Sequence, residues 1–373
     1  MRAVIILAIA LVLFGPFNLL TIRRIVRLHP RRRHLVYSLA LLGNLVWPVI
    51  PYLEVRNDAT RWIRAIFGPP WFAWTSFAIL YSIVTLLIVL LRLPPARASR
   101  AFLWFILIGG IAGFYQALVP LRVEHVTIRL PNLPAGAEGT KLALLSDLHT
   151  GLFTRPSRLE KILATASAER PAAILLAGDL IDDDPWFTQK FEASTNAVPS
   201  SIPIIATLGN HEIYGAPFEY IARLKGTRVH LLVNEGMPLG PLWIAGLSDY
   251  AARQLRPALA PDLNAALHLA PANTFPIVVA HQPRAFDETR RRALPLTLVG
   301  HTHGGQLGFR PLHWCLAGVF LKYHMGHYTE GPSQLYVTTG AGYWLLPFRL
   351  GMSPEIAIIE LRRGESRPPS ARS

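Results

Sequence analysis

Four stretches near the start of the chain carry no charged residue: Ala3 to Ile22, Leu35 to Leu53, Trp71 to Leu91 and Ala101 to Leu121. A helix crossing a hydrocarbon core needs about 20 apolar residues. Each run is of that length, so the pattern predicts about four transmembrane α-helices within residues 1–122. Pro16, Pro48 and Pro51 sit inside the runs, where membrane helices tolerate proline. From Val126 onward the apolar runs shorten. "KLALLSD", "AAILLAGD", "IPIIATLGN", "PLWIAGLSD", "FPIVVAHQ" and "LPLTLVGH" each end in a polar residue or glycine and read as buried strands. Between the first two, "RPSRLEKILATASAER" places Leu159, Ile162, Leu163 and Ala166 on one helical face. Strand, helix, strand implies a layered α/β domain. "LYVTTGAGYW" and "PEIAIIELRR" add two strands, and the closing "GESRPPSARS" is polar and proline-rich, as disordered tails are. The expected division is a membrane domain at 1–122, a folded domain at 123–363 and a disordered tail at 364–373.

Composition supports the membrane reading, with 51% hydrophobic and only 16% charged residues. The net charge of +14 would suit a nucleic-acid partner, but its distribution does not. Residues 1–122 hold 14 arginines, no lysine and 2 acidic residues, whereas residues 123–373 carry a net charge of only +2. No nucleic acid is therefore expected. The single cysteine, Cys315, excludes an internal disulfide. The first run follows only Arg2 and lacks a small-x-small cleavage site, so it reads as a retained helix. The loops "RRIVRLHPRRRH" and "RLPPARASR" hold nine arginines, against five on the other side (Arg2, Arg56, Arg61, Arg64 and Arg122). The positive-inside rule then places the folded domain outside the cytoplasm, on a multi-pass protein of the cytoplasmic (inner) membrane. The basic loops could also bind anionic lipid headgroups.

The strand ends carry the chemistry. They supply Asp147 and His149, Asp179, Asn210 and His211, His281, and finally His301 and His303 in "LVGHTHGGQ". Open α/β sheets place their sites at this edge. Two carboxylates, one amide and five imidazoles, with no thiolate, suit Mn²⁺, Zn²⁺ or Fe. Calcium would want mostly oxygen donors. Eight donors are too many for one catalytic ion with an open position, and suit two ions sharing a carboxylate. If strand geometry persists, both side chains of D-x-H and of H-x-H point to one side. Gly300, Gly304 and Gly305 free the backbone to turn there. Two ions would activate a bridging hydroxide for attack on a phosphate ester, and a nearby imidazole would protonate the leaving group.

The ordered blocks Asp147-Leu148-His149, Gly178-Asp179-Leu180-Ile181-Asp182, Gly209-Asn210-His211-Glu212, His281 and Gly300-His301-Thr302-His303 resemble the calcineurin-like metallophosphoesterase superfamily. The form "GHTHGGQ" and the run from Pro347 to Glu355 resemble its membrane-anchored bacterial branch, and the whole resembles the transmembrane proteins with a metallophosphoesterase domain. The resemblance implies a four-layer α/β/β/α sandwich. It implies that Asp147, His149, Asp179 and His303 hold one metal, and that Asp179 bridges to a second completed by Asn210, His281 and His301. His211 would be the general acid and phosphate contact. Asp182 and Glu212 would support the site without ligating. The expected activity is a phosphodiesterase, possible substrates being lipid-linked or envelope phosphate esters. The alternatives are a phosphomonoesterase or pyrophosphatase, or a non-catalytic membrane sensor or scaffold that binds a phosphorylated ligand.

Other polar residues have plainer readings. His313, His324 and His327 lie outside the motifs and read as surface or loop residues, and Asp183 and Asp184 as a solvated acidic run. "PLHWCLAGVFLKYHMGHY" at 311–328 is apolar and aromatic. It either packs on the core or forms a lip facing the bilayer, joined by "YWLLPFR" at 343–349 with Arg349 pairing a phosphate.

Overall fold

The computed structural model describes residues 2–44, 58–152, 154–182, 184–344 and 346–364, the side chains of 2–14, 43 and 58–72 excepted. The chain divides into two compact units, residues 1–111 and 112–373. The first holds α1 (Arg2–Leu28), α2 (Arg33–Asn44), α3 (Asp58–Leu90) and most of α4 (Pro95–Leu118). Its small core joins Ile25, Val36 and Tyr81, and Tyr81 Oη lies 2.6 Å from Ser99 Oγ.

The four expected membrane spans reduce to two. Among the described residues, Ala73–Leu90 of α3 and Pro95–Leu118 of α4 are long and apolar enough to cross a membrane. The second expected span is described only as α2, of 12 residues. The rest of that run, from residue 45, lies outside the described residues. The first expected span falls on α1, whose side chains up to residue 14 also lie outside them; the end of that helix carries Arg23, Arg24 and Arg27. The tail from 365 is likewise outside the described residues.

The second unit is built on two six-stranded sheets. The first runs β1 (Arg122–Leu130), β14 (Glu355–Arg363), β2 (Lys141–Leu145), β3 (Ala173–Ala177), β4 (Ile204–Thr207), β5 (Val229–Leu231). The second runs β12 (Gly326–Glu330), β13 (Ser333–Val337), β9 (Leu296–Val299), β8 (Phe275–Val279), β7 (Leu242–Gly246), β6 (Glu235–Leu239). Strands β2 to β5 pair in parallel, as do β7, β8, β9 and β13. β10 (Gly308–Phe309) and β11 (Trp314–Cys315) form a separate small pair.

Three apolar cores explain the layering. Leu142, Leu144, Leu175 and Ile205 of the first sheet meet Ile244, Ile277, Leu296 and Leu298 of the second, so the sheets pack face to face. Residues of opposite parity, Ala143, Leu145, Ile174 and Leu176, face outward onto Leu159, Ile162, Leu163 and Ala166 of α5 (Pro156–Ala168), the face expected of that helix, and onto Phe191 of α6 (Thr188–Ser194). Beyond the second sheet, Val278 and Val337 pack with Leu263, Ala266 and Phe286. The result is an α/β/β/α sandwich with strands buried on both faces, as their unbroken apolar runs require.

β1 is an addition to the expected elements. Residues just after the last membrane run form a strand, paired in parallel along nine residues of β14 from Arg122↔Glu355 to Leu130↔Arg363. The last turns of α4 also belong to this unit. Gly113 O accepts from Arg349 N at 3.0 Å. Gln116 Oε1 accepts from Gly351 N at 2.7 Å, and its Nε2 donates to Ser353 Oγ at 2.9 Å. Arg158 donates to Ala117 O and Leu118 O, both at 2.6 Å, which satisfies carbonyls that a helix end leaves unpaired.

Candidate metal centre

The strand-end residues converge, but not by strand alternation. β2 ends at Leu145, before the D-x-H pair, and β9 ends at Val299, before H-x-H. Asp147, His149, Asp179, His301 and His303 all have left-handed backbone, with φ of 57°, 43°, 52°, 73° and 49°. Asp and His tolerate this region better than most residues, and each such residue stores strain of about 1–3 kcal/mol. Thus Asp147/His149 and His301/His303 reach one side through tight turns on the ligand-type residues themselves, rather than through glycine freedom alone. Glycine is needed where backbone passes close to a carboxylate. A side chain at Gly209 would run into the Asp179 carboxylate, and one at Gly300 would meet Ser146 Oγ and Asp147 Oδ2.

Two clusters result, with an acid at the centre of each. Asp147, His149 and His303 form one, and Asp179, His281 and His301 the other. His303 Nε2 lies 3.2 Å from Asp147 Oδ1 and 3.0 Å from His149 Nε2. His281 Nε2 lies 3.1 Å from Asp179 Oδ2, 2.9 Å from Asn210 Oδ1 and 3.0 Å from His301 Nδ1. Asp179 Oδ2 is also 3.7 Å from His149 Nε2, which puts that carboxylate between the clusters. His211 stands at the open side, in a third cluster with His149 and Asp179, its ring edge-on to His149 at 4.7 Å. All eight expected residues are thus brought together.

Surrounding groups fix the donors. Asp182 Oδ1 lies 3.0 Å from His149 Nδ1, and Ala177 O lies 2.8 Å from His281 Nδ1, which turns each Nε2 toward the acids. Glu212 collects the backbone N–H groups of Asp179, Leu180, Ile181 and Gly209 at 2.7–3.1 Å and so holds the Asp179 turn. Burial and the neighbouring Asp179 carboxylate push Glu212 up to about 7, against the pull of those N–H donors. Asp179, although buried, is held well below the usual carboxylate range by His281, His211 and His149. Burial and a neighbouring imidazole, His281 and His149 respectively, push His301 and His303 down to about 4. His281, although buried, is held well above its ordinary value by Asp179 and Asp147, so a metal, which takes ionised carboxylates and neutral imidazoles, would displace its proton on binding. With imidazole nitrogens 3.0 Å apart around buried carboxylates, the donor set fits a dinuclear divalent-metal site, and its oxygen and nitrogen donors suit Mn²⁺, Zn²⁺ or Fe alike.

One residue escaped the sequence reading and another was assigned a different role. Asp249 follows β7 in "GLSD", the same pattern as "LLSD" before His149. It is buried, accepts from Gln282 Nε2 at 2.9 Å and Ala251 N at 2.7 Å, and feels the charges of His281 and Asp179. Arg349 was expected to meet a phosphate, yet it is fully buried. Its guanidinium donates to Gly342 O and Thr339 O, each at 2.8 Å, and to Gly340 O at 3.2 Å, and reaches His303 Nδ1 at 3.2 Å. Arg349 therefore braces the His303 ring from behind. Burial pushes its pKa down to about 9, leaving it charged at neutral pH. His313, His324 and His327 lie outside the three clusters. In the 311–328 segment Cys315, Ala317 and Met325 pack inward with Met352, while Leu312, Val319 and Phe320 are exposed.

Comparison with known proteins agrees with this geometry. Residues 140–305 match the family described as calcineurin-like phosphoesterase. A Helicobacter pylori protein described as an uncharacterised metallophosphoesterase is 31% identical over 250 residues, 67% of this chain and 66% of that protein. A Campylobacter jejuni protein of the same description is 28% identical over 95% of this chain and 97% of its own. A Danio rerio "transmembrane protein with metallophosphoesterase domain" is 30% identical over 68% of this chain and 60% of its own. The chain thus spans about two thirds of the Helicobacter relative.

Proposed function

Residues 140–305 form a calcineurin-like phosphoesterase domain of the metal-dependent kind, and from that premise we propose that the chain is a membrane-anchored phosphodiesterase. The observation that carries the reading is the partition of donors about Asp179, with His211 at the open side. In this reading Asp147, His149 and His303 hold one ion, Asn210, His281 and His301 the other, and Asp179 both. The ions, when bound, supply Lewis acidity toward phosphoryl oxygens and acidify a water molecule.

The chain's own residues do the rest. Asp182 and Ala177 O hold the imidazoles of His149 and His281 in register. Glu212 fixes the turn that presents Asp179, and Asp179 Oδ1 in turn accepts from His211 N at 2.9 Å, locking the His211 backbone to the site. The His211 ring is the group placed to contact the phosphate and to protonate the leaving alkoxide. Nothing in this scheme needs a nucleophilic serine or cysteine.

The two membrane-length helices support anchoring, and the arginine bias supports a domain outside the cytoplasm. That location favours a lipid-linked or envelope ester as substrate. The test is hydrolysis of bis(p-nitrophenyl) phosphate and p-nitrophenyl phosphate by the full chain in detergent, stripped of metal and then given Mn²⁺, Zn²⁺ or Fe²⁺ in turn. The expected result is metal-dependent cleavage of the diester, faster than the monoester. His211→Ala should retain two ions and lose turnover. Faster monoester cleavage would make the chain a phosphomonoesterase, and two bound ions with no cleavage of either would favour a binding protein. A reporter fused after Ser373 should be active outside the cytoplasm; cytoplasmic activity would reverse the topology.

A further inference from the structure

The second unit exposes more apolar surface beside its metal centre than a water-facing domain would keep. Phe320 is 80% exposed, Leu312 75%, Val319 61% and Trp314 47%. Monomeric soluble proteins rarely expose large contiguous patches of this kind. The excursion that bears them is stitched to the centre. Backbone next to Gly305 runs against Leu316 and Ala317, and Thr302 Oγ1 donates to His324 O at 2.7 Å.

The same surface continues onto the end of α4. Gln306 pairs with the backbone of Trp344, its Oε1 accepting from Trp344 N at 2.8 Å, and Gly308 N donates to Leu350 O at 2.9 Å. Residues 346–350 then cover Gly113 with the Phe348 ring, which meets Phe114 edge-on at 6.3 Å. There Tyr115 is 62% exposed. Trp344, itself 43% exposed, places its ring 6.3 Å from that of His211. One apolar rim therefore runs from a helix end to the mouth of the site.

We propose that this rim is a bilayer seat, and that the ester hydrolysed at the site is an amphiphile taken up along it. The occupant follows from the chain. The helix whose last turns form one end of the rim is apolar enough to cross a membrane. Only residues 119–121 separate it from β1, a link that reaches about 10–15 Å at most. The domain thus stays within that distance of the point where α4 ends. Tryptophan and tyrosine among the rim residues are the types enriched where membrane meets water. The delivery claim rests on the phosphoesterase reading; the seat does not.

The test uses the full chain in phosphatidylcholine and phosphatidylglycerol vesicles containing lipid with a nitroxide high on the acyl chain. An environment-sensitive fluorophore is placed at Phe320→Cys or, as control, at Leu269→Cys. Leu269 is 75% exposed and precedes β8, at the sheet edge opposite the site. Quenching several-fold stronger at 320 than at 269 is expected, and equal quenching overturns the seat, whatever the catalysis. In the second arm, Val319→Ser with Phe320→Ser should slow a vesicle-borne phosphodiester bearing one twelve-carbon chain tenfold or more. Turnover of bis(p-nitrophenyl) phosphate should stay within twofold. Equal loss on both esters, or loss on neither, overturns delivery. If the unmodified chain cleaves neither ester with any metal, the phosphoesterase reading fails, and quenching still decides the seat.

Discussion

The two sheets bring unequal chemistry to a shared edge. The first supplies both carboxylates, the amide and His149; the second supplies only imidazoles, His281, His301 and His303. The Asp147 and Asp179–His281 clusters each draw on both sheets, and only the His149–Asp179–His211 cluster belongs wholly to the first, so neither half holds a complete site before the sandwich closes. At another place along the same seam the sheets meet without a metal. Glu355 of β14 accepts from Tyr336 Oη of β13 at 2.9 Å, from Thr339 Oγ1 at 3.0 Å and from Arg310. One junction is closed by acid and imidazole contributions from different sheets whose donors suit cations. The other is closed by the Arg310–Glu355 ion pair, whose carboxylate also accepts from Tyr336 and Thr339. The difference teaches that at the metal centre closure of the fold also assembles the site, whereas at Glu355 the sheets are joined by protein groups alone, through Thr339 and Gly340, which Arg349 also bonds.

The sharpest way to break this comparison is Asp179→Ala. Losing the shared carboxylate should remove about 10³-fold or more of the turnover, in the range of other critical transition-state contacts. Metal analysis should show fewer than two ions per chain; two retained ions would mean that Asp179 does not join the clusters. Next comes Arg349→Met, which strips the donors from buried carbonyls at about 1–3 kcal/mol each. It should lower the melting temperature and weaken metal binding together, and Arg349→Lys should recover only part of each. A stable variant with unchanged metal affinity would show that the brace behind His303 is idle.

Chelation should have a smaller effect. Ions present at 100 to 1,000 times Kd stabilise by about 3–4 kcal/mol, so their removal should lower the melting temperature of the second unit by about 6–16 °C. An unchanged transition would mean that the sheets close equally well without cations.

The smallest effect is expected at Glu355. Burial alone would raise its pKa, but Arg310, Tyr336 and Thr339 overcome this and hold it below its ordinary value. A depressed carboxyl stabilises the fold above its unfolded pKa, near 4.3. That contribution is lost as pH falls through the lower folded value. Glu355→Gln should cost about 1–3 kcal/mol near neutrality and flatten the acid limb of a stability–pH curve. An acid limb identical to that of the unmodified chain would separate Glu355 from the seam.

Much of this was legible in the sequence because strands buried on both faces write themselves as apolar runs, and their ends write themselves as polar residues. Asp147, Asp179 and His281 were found that way. The backbone at the site was not legible, since left-handed turns at Asp147 or His303 leave no compositional mark when the residue is not glycine. Asp249 offered a signal in "GLSD", but its role depends on Gln282 and His281, reached only through the fold. Arg349 misled for a physical reason: an arginine near a phosphate motif is commonly a phosphate ligand, and only tertiary burial reassigns it.

The closing turns of α4 have a consequence for shedding. Many membrane-anchored domains can be released intact by one proteolytic cut in a flexible stalk. Here there is no stalk to cut: the residues just past the apolar helix are already the edge strand β1, and Gly113 and Gln116 before them hold the loop that bears Arg349. A protease acting at 119–121 would take part of the floor of the site away with the anchor. If α4 anchors the chain, as proposed, release into solution would also strip the helix turns that hold the Arg349 loop.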